Sequence, residues 1–205
     1  MGDHLHEKGG LMASYRYMFM RMEQNFDGTS RISDSDVLAD PRFMVAPTDM
    51  DMEMHMLGFM YAPTDTLTFM AMVNLVELSM NHRRMDGLEF QTTSSGIGDS
   101  SIGALFRLND NFHAGLGLLL PTADIEEDDF IPGPGETRLP YPMQLGSGSW
   151  GLAPSLTYRQ FQNDWYWGGQ ASAKLLLDDN DQGYRLGDRF EFNAWAVKPI
   201  NDSFS

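Results

Sequence analysis

Cysteine is absent from the 205-residue chain, which excludes disulfides and thiolate metal sites and is compatible with an oxidising compartment. No run of 18 apolar residues occurs, so a transmembrane helix is excluded. Membrane-crossing strands are not excluded, because they alternate in polarity and window averages hide them. Positive charge is scarce. The chain has 14 Lys and Arg against 29 Asp and Glu, a net charge of −15, and phosphate binding needs basic surface, so no nucleic-acid partner is expected. Enzymatic signatures are missing too. There is no Gly-x-Ser-x-Gly and no P-loop, Ser94-Ser95-Gly96-Ile97-Gly98 resembles a glycine-rich loop only loosely, and paired carboxylates carry no weight in so acidic a chain. The chain is not expected to be an enzyme.

What is present is long period-two alternation. Met50, Met52, Met54, Met56, Gly58 and Met60 share one parity, and Asp51, Glu53, His55, Leu57, Phe59 and Tyr61 the other. After the turn sequence Ala62-Pro63-Thr64-Asp65 the alternation resumes over Leu67–Met80. Strands of this length exceed the usual 5–6 residues of globular proteins and match the roughly 9–11 needed to cross a bilayer. Similar stretches occur at 10–23, 97–108, 112–120, 150–161, 165–177 and 187–198, giving eight predicted strands, with a ninth expected to begin at the C-terminal end. Tight turns at 62–65, 109–111, 162–164 and 199–202 alternate with long polar connections at 24–49, 81–95 and 121–148. Short turns on one rim and long loops on the other are the layout of outer-membrane barrels. The predicted fold is therefore all-β, an antiparallel up-and-down transmembrane β-barrel. Met1 to Lys8 is polar and lacks the apolar segment of a signal peptide, and Pro199 to Ser205 reads as a turn and the start of another strand. Residues 1–205 are thus expected to be a single β-barrel domain truncated at both ends, about eight strands of a larger barrel.

Charge assigns the faces, because Arg or Lys at the bilayer midplane costs about 2–4 kcal/mol. Arg16 turns the Met12–Met22 parity inward. The expected lumen lining is Arg16, Met18, Met20, Met52, Met54, Met56, Met70, Met72, Asp99, Arg107, Arg159, Lys174, Arg189 and Glu191. Ile102, Phe106, Leu116, Leu156 and Phe192 then face lipid, and Tyr61, Tyr158, Trp165 and Trp167 form a girdle beside the tight turns. Asp51, Glu53 and His55 must stand at or above the bilayer edge.

Four segments carry a resemblance to a known family: Met1 to Gly9, Ala46-Pro47-Thr48-Asp49-Met50-Asp51-Met52, Leu139-Pro140-Tyr141-Pro142-Met143-Gln144-Leu145-Gly146-Ser147-Gly148, and Gly183 to Arg189. In these the chain resembles bacterial outer-membrane transporters grouped under the meta-pathway of phenol degradation. The resemblance implies a porin-like barrel of more than eight strands in the cell outer membrane, carrying small solutes, with a cleaved signal peptide. The implied surroundings are outer-membrane lipid and lipopolysaccharide, with homo-oligomerisation left open. No catalytic residue is implied.

Thioethers are soft ligands that suit Cu(I), and the run from Met50 to Met56 resembles the spacing of copper-handling segments. Met52, Met54 and Met56 are its candidate ligands. On a strand His55 points the other way, and the plainer account is that methionine fills irregular space beside a pore or core. A soft apolar track for aromatic or other hydrophobic solutes is a third reading. His4, His6 and Glu7 could hold a metal, and the acidic run Asp124 to Asp129 could hold Ca²⁺, although each reads more simply as solvated. The inward charges could set a field that guides solutes, or could pair with Asp99 and Glu191 to fill a narrow barrel. The competing class is a soluble or periplasmic β-barrel that binds copper through the Met-rich strand.

Overall fold

A strand with one apolar face must pair with neighbours that share that face, and the twist of a many-stranded sheet then curls it. A computed structural model describes residues 5–162 and 164–198. In chain order the elements are β1 (Leu11–Glu23), β2 (Asn25–Asp27), β3 (Ser30–Ile32), α1 (Asp34–Ala39), β4 (Val45–Thr64), β5 (Leu67–Arg84), β6 (Glu89–Ile97), β7 (Ser100–Arg107), β8 (Phe112–Leu120), β9 (Asp128–Ile131), β10 (Gly135–Arg138), a 3₁₀ turn (Tyr141–Met143), β11 (Gly151–Gln162), β12 (Trp165–Leu176) and β13 (Arg189–Val197). The large sheet runs β1-β4-β5-β7-β8-β11-β12-β13, and β6 pairs with the upper part of β5. All of its pairings are antiparallel.

β6 and β7 are one strand interrupted by a bulge. Leu75 pairs with Ile97 and Met72 with Ser101, so four steps oppose three and one extra residue is absorbed around Asp99. Counted this way the sheet has eight strands and forms a half-barrel. Its inward face encloses a trough of about 270 Å³ touched by residues from β5, β7, β8, β11, β12 and β13. The outward face exposes Leu11, Phe59, Phe69, Ile102, Leu116 and Phe192, a surface that a water-soluble domain would cover. Beside the tight turns Phe112, Tyr158 and Trp167 contact one another at 4.8 and 5.4 Å between ring centres.

The structure corrects several sequence boundaries. The connection expected at 81–95 is largely strand: β5 continues to Arg84, a turn follows at 85–88, and β6 returns. In that turn Asp86 accepts from Arg84 and from the Leu88 amide, which holds its carboxyl down to about 2. The hairpin was hidden because it stands above the apolar band and is polar on both faces. Asn81 and Thr93 lie on one side, His82 and Ser94 on the other. The strand expected to begin at Met50 begins at Val45, and Pro63 lies inside it at a register irregularity where its missing N–H is tolerated. The turn proper is Asp65-Thr66. Gln24–Asp49 holds a small hairpin and a helix capped reciprocally by Ser33 and Asp36. The turns expected at 162–164 and 199–202 lie partly or wholly outside the described residues.

The hydrophobic core lies between the sheet and one loop. Met50, Val76, Leu78 and Met80 of the sheet bury against Leu139, Met143 and Leu145 of the 121–150 segment. The free edge of β6 is covered by the β9–β10 hairpin, where the Asp129 carboxylate accepts from the Thr93 amide at 2.8 Å.

His82 sits buried in the upper hairpin, stacked on Phe90 at 4.9 Å with Nε2 2.9 Å from the Thr92 hydroxyl. Burial pushes its pKa below the ordinary 6.5. The native state therefore prefers the neutral ring. Its contribution is fully present above the unfolded value and is lost as pH falls through the folded one. Amide exchange over 80–92, corrected for intrinsic rate, should accelerate between about pH 7 and 5 in the native protein and not in His82→Phe. A pH-independent protection factor in both would refute this.

Candidate functional site

The candidate site is the inward face, and its two walls differ. One wall is built by β1, β4 and β5, whose registers place methionines directly opposite one another. Met22 pairs with Met50, Met20 with Met52, Met18 with Met54 and Met12 with Met60 across β1 and β4. Met50 pairs with Met80 and Met60 with Met70 across β4 and β5. Met56 lies between Arg16 and Asn74, and Gly58 between Ser14 and Met72. These twelve methionines, of sixteen in the chain, share the inward parity of three adjacent strands. The cause is local: period-two spacing gives one face per strand, and the registers align the faces. His55 is not part of this wall. Its Nδ1 meets the Tyr15 hydroxyl at 2.7 Å on the outward face, where Tyr17 donates to Glu53 at 2.9 Å and Arg21 lies 3.6 Å from Asp51.

The second wall comes from β7, β8, β11, β12 and β13 and is small and polar. Arg107 pairs with His113, Arg159 with Gly168, Lys174 with Arg189 and Ser172 with Glu191 in register. The trough between the walls is bounded by Met70 and Met72 on one side and by Ser155, Lys174, Arg189 and Glu191 on the other. The Arg189 guanidinium lies 2.7 Å from the Glu191 carboxylate. Gly103 lets the walls meet closely, since a Cβ there would lie 2.8 Å from the Leu116 carbonyl and 3.0 Å from the Met70 methyl.

The loop at 121–150 folds inward over the upper methionines, which sequence reasoning missed. Asp99, expected only as a lumen charge, anchors it. The bulge presents its carboxylate to the Ser147 amide and hydroxyl, both at 2.7 Å, and to the Ala123 amide at 3.4 Å. Ser94 donates to the Met143 carbonyl at 2.6 Å, and buried Gln144 joins Glu127 to Leu139. Asn180 from the next loop donates to the Ser147 carbonyl at 3.0 Å, so two loops lock together. Close approach explains the glycines: a Cβ on Gly96 would lie 2.7 Å from Leu145, and one on Gly146 2.4 Å from Asp99. The apolar residues Leu139, Met143 and Leu145 within the loop were the available signal. Among the described residues no group of three or more His, Asp or Glu is placed to hold a metal. His4 lies outside the described residues.

A curved antiparallel sheet with an apolar exterior, a mixed inward face and an inserted loop defines a porin-like β-barrel fold. The chain belongs to the family described as "Putative MetA-pathway of phenol degradation", which it matches over residues 33–205. The crystal structure of an outer membrane channel from Pseudomonas putida F1 is similar in fold, with a TM-score of 0.56, 16% identity, and coverage of 95% of this chain and 67% of that one. No curated protein sequence matches.

Asp99→Asn keeps the side chain's size and removes its charge. Losing a charge-assisted hydrogen bond costs on the order of 1.5–3 kcal/mol locally. Exchange of the Ser147 amide and proteolysis within 139–149 should both accelerate while the sheet stays protected. Unchanged rates at both would show that the carboxylate does not hold the loop.

Proposed function

We propose that the chain is a section of an outer-membrane channel through which small solutes pass between a thioether wall and a polar wall, under an inward-folded loop. The observation that carries this reading is the half-barrel itself, apolar and exposed outside and mixed within. Its likeness in fold to the channel from Pseudomonas putida F1 supports it. The protein resides in the outer membrane, its apolar band against lipid and the β5–β6 hairpin projecting above. The reading is one of passage and selection. Lys174 and Arg189 give the trough a positive wall, and Glu191 tempers it. Methionine opposite offers soft, polarisable contact to aromatic or other hydrophobic solutes.

The full-length protein in a planar bilayer should conduct steadily, and it should migrate faster unboiled than boiled on detergent gels. Lys174→Gln with Arg189→Gln should shift the reversal potential toward cations, because removing lumen cations lowers the barrier to cation entry. A soluble, non-conducting protein would overturn the channel. An unmoved reversal potential would remove these two residues from the solute path.

A further inference from the structure

Met20 and Met22 are 41% and 37% exposed, whereas Met50, Met80 and Met60 on the paired strands are 7%, 5% and 1% exposed, so each rung joins packed thioethers to more open ones. Every second position from Met50 to Met60 carries a thioether on its own strand or on a paired neighbour. Directly opposed residues have Cβ atoms about 4.5–5.5 Å apart, so flexible thioethers on paired strands can meet. Successive rungs lie about 6.8 Å apart, and the ladder from Met50 to Met60 spans about 34 Å. That is close to the roughly 30 Å thickness of a bilayer hydrocarbon core.

Thioethers are soft, neutral and already deprotonated, so they select d¹⁰ monovalent ions without competing protons. A series of weak equivalent sites lets an ion enter and leave. The net charge of −15 concentrates cations near the protein. The ladder is not uniform. Arg16 opposite Met56 disfavours a cation at mid-height, whereas both ends carry three thioethers each. Met50 and Met80 of the upper end also pack in one cluster with Met143 of the inserted loop.

We propose that Met22, Met50 and Met80 at the upper end, and Met12, Met60 and Met70 near the turn rim, are two binding sites for a soft monovalent cation, Cu(I) or Ag(I). The ladder between them is its path. The path rests on the channel reading, whereas the two sites do not.

The full-length protein in detergent is titrated with Ag(I), and separately with Cu(I) against a chromophoric competitor. Met22→Leu with Met80→Leu, and Met12→Leu with Met70→Leu, keep apolar volume and remove sulfur. Met44→Leu with Met85→Leu is the control off the ladder. Each end-site variant should weaken its binding step at least tenfold, the control should not, and X-ray absorption should show a sulfur-only shell around the ion. Faster migration unboiled verifies the barrel in every variant, and Met22→Leu alone, at an exposed position, serves if a double variant does not fold. Equal Ag(I) binding in wild type and end-site variants, or Zn(II) retained as tightly as Ag(I), overturns the sites. Steady conductance without Ag(I) binding overturns this inference and leaves the channel. Ag(I) binding in a protein that never conducts supports the sites and overturns both the path and the channel.

Discussion

The structure depends on one constraint: in a bilayer no water is available to satisfy a backbone N–H or C=O, so every spanning strand must be paired. Antiparallel pairing of long strands meets that demand, and the registers it imposes decide everything on the two faces. Register aligns Met18 with Met54 and Met50 with Met80. A slip of one residue would send the thioethers to lipid and Leu57, Phe59 and Tyr61 inward. Among the described residues the sheet order ends at β1 on one side and β13 on the other.

Beyond the bilayer the constraint relaxes, and the chain changes character. β4, β5 and β6 continue as a hairpin pair whose outer row is Asp51, Ser79 and Thr93 in place of Leu57 and Val73. There the sheet needs cover from protein instead of lipid. The 121–150 loop supplies it with Leu139, Met143 and Leu145, and Asp129 protects the β6 edge. The bulge at Asp99 joins the two regimes. It flips the parity between β6 and β7 and turns a carboxylate toward Ser147, so the place where the strand is irregular is also where the loop is pinned.

A loop pinned over one wall leaves the other wall open to the trough. Arg107, Arg159, Lys174 and Arg189 gather on that second wall, and Arg16 is the cation of the first. The alternative drawn from sequence, that the lumen cations pair with Asp99 and Glu191, divides here. Arg189 lies against Glu191, while Asp99 is occupied by Ser147 and Ala123. A fixed carboxylate used as a loop anchor leaves the second wall more positive than the composition of the chain suggests.

The eight long strands and the shared parity of the methionines on β1, β4 and β5 were legible in the sequence, because alternation is a local property. His55 was correctly separated from the methionines by the same parity. The upper hairpin at 81–95 was not legible, because the face it buries carries His82, Thr92 and Ser94 and so shows no hydrophobic period. Nor were the bulge at Asp99, the insertion of Leu139–Gly148 or the pairing of thioethers into rungs. Each depends on which residues meet across tens of positions, and only strand register and loop docking in the tertiary structure decide that.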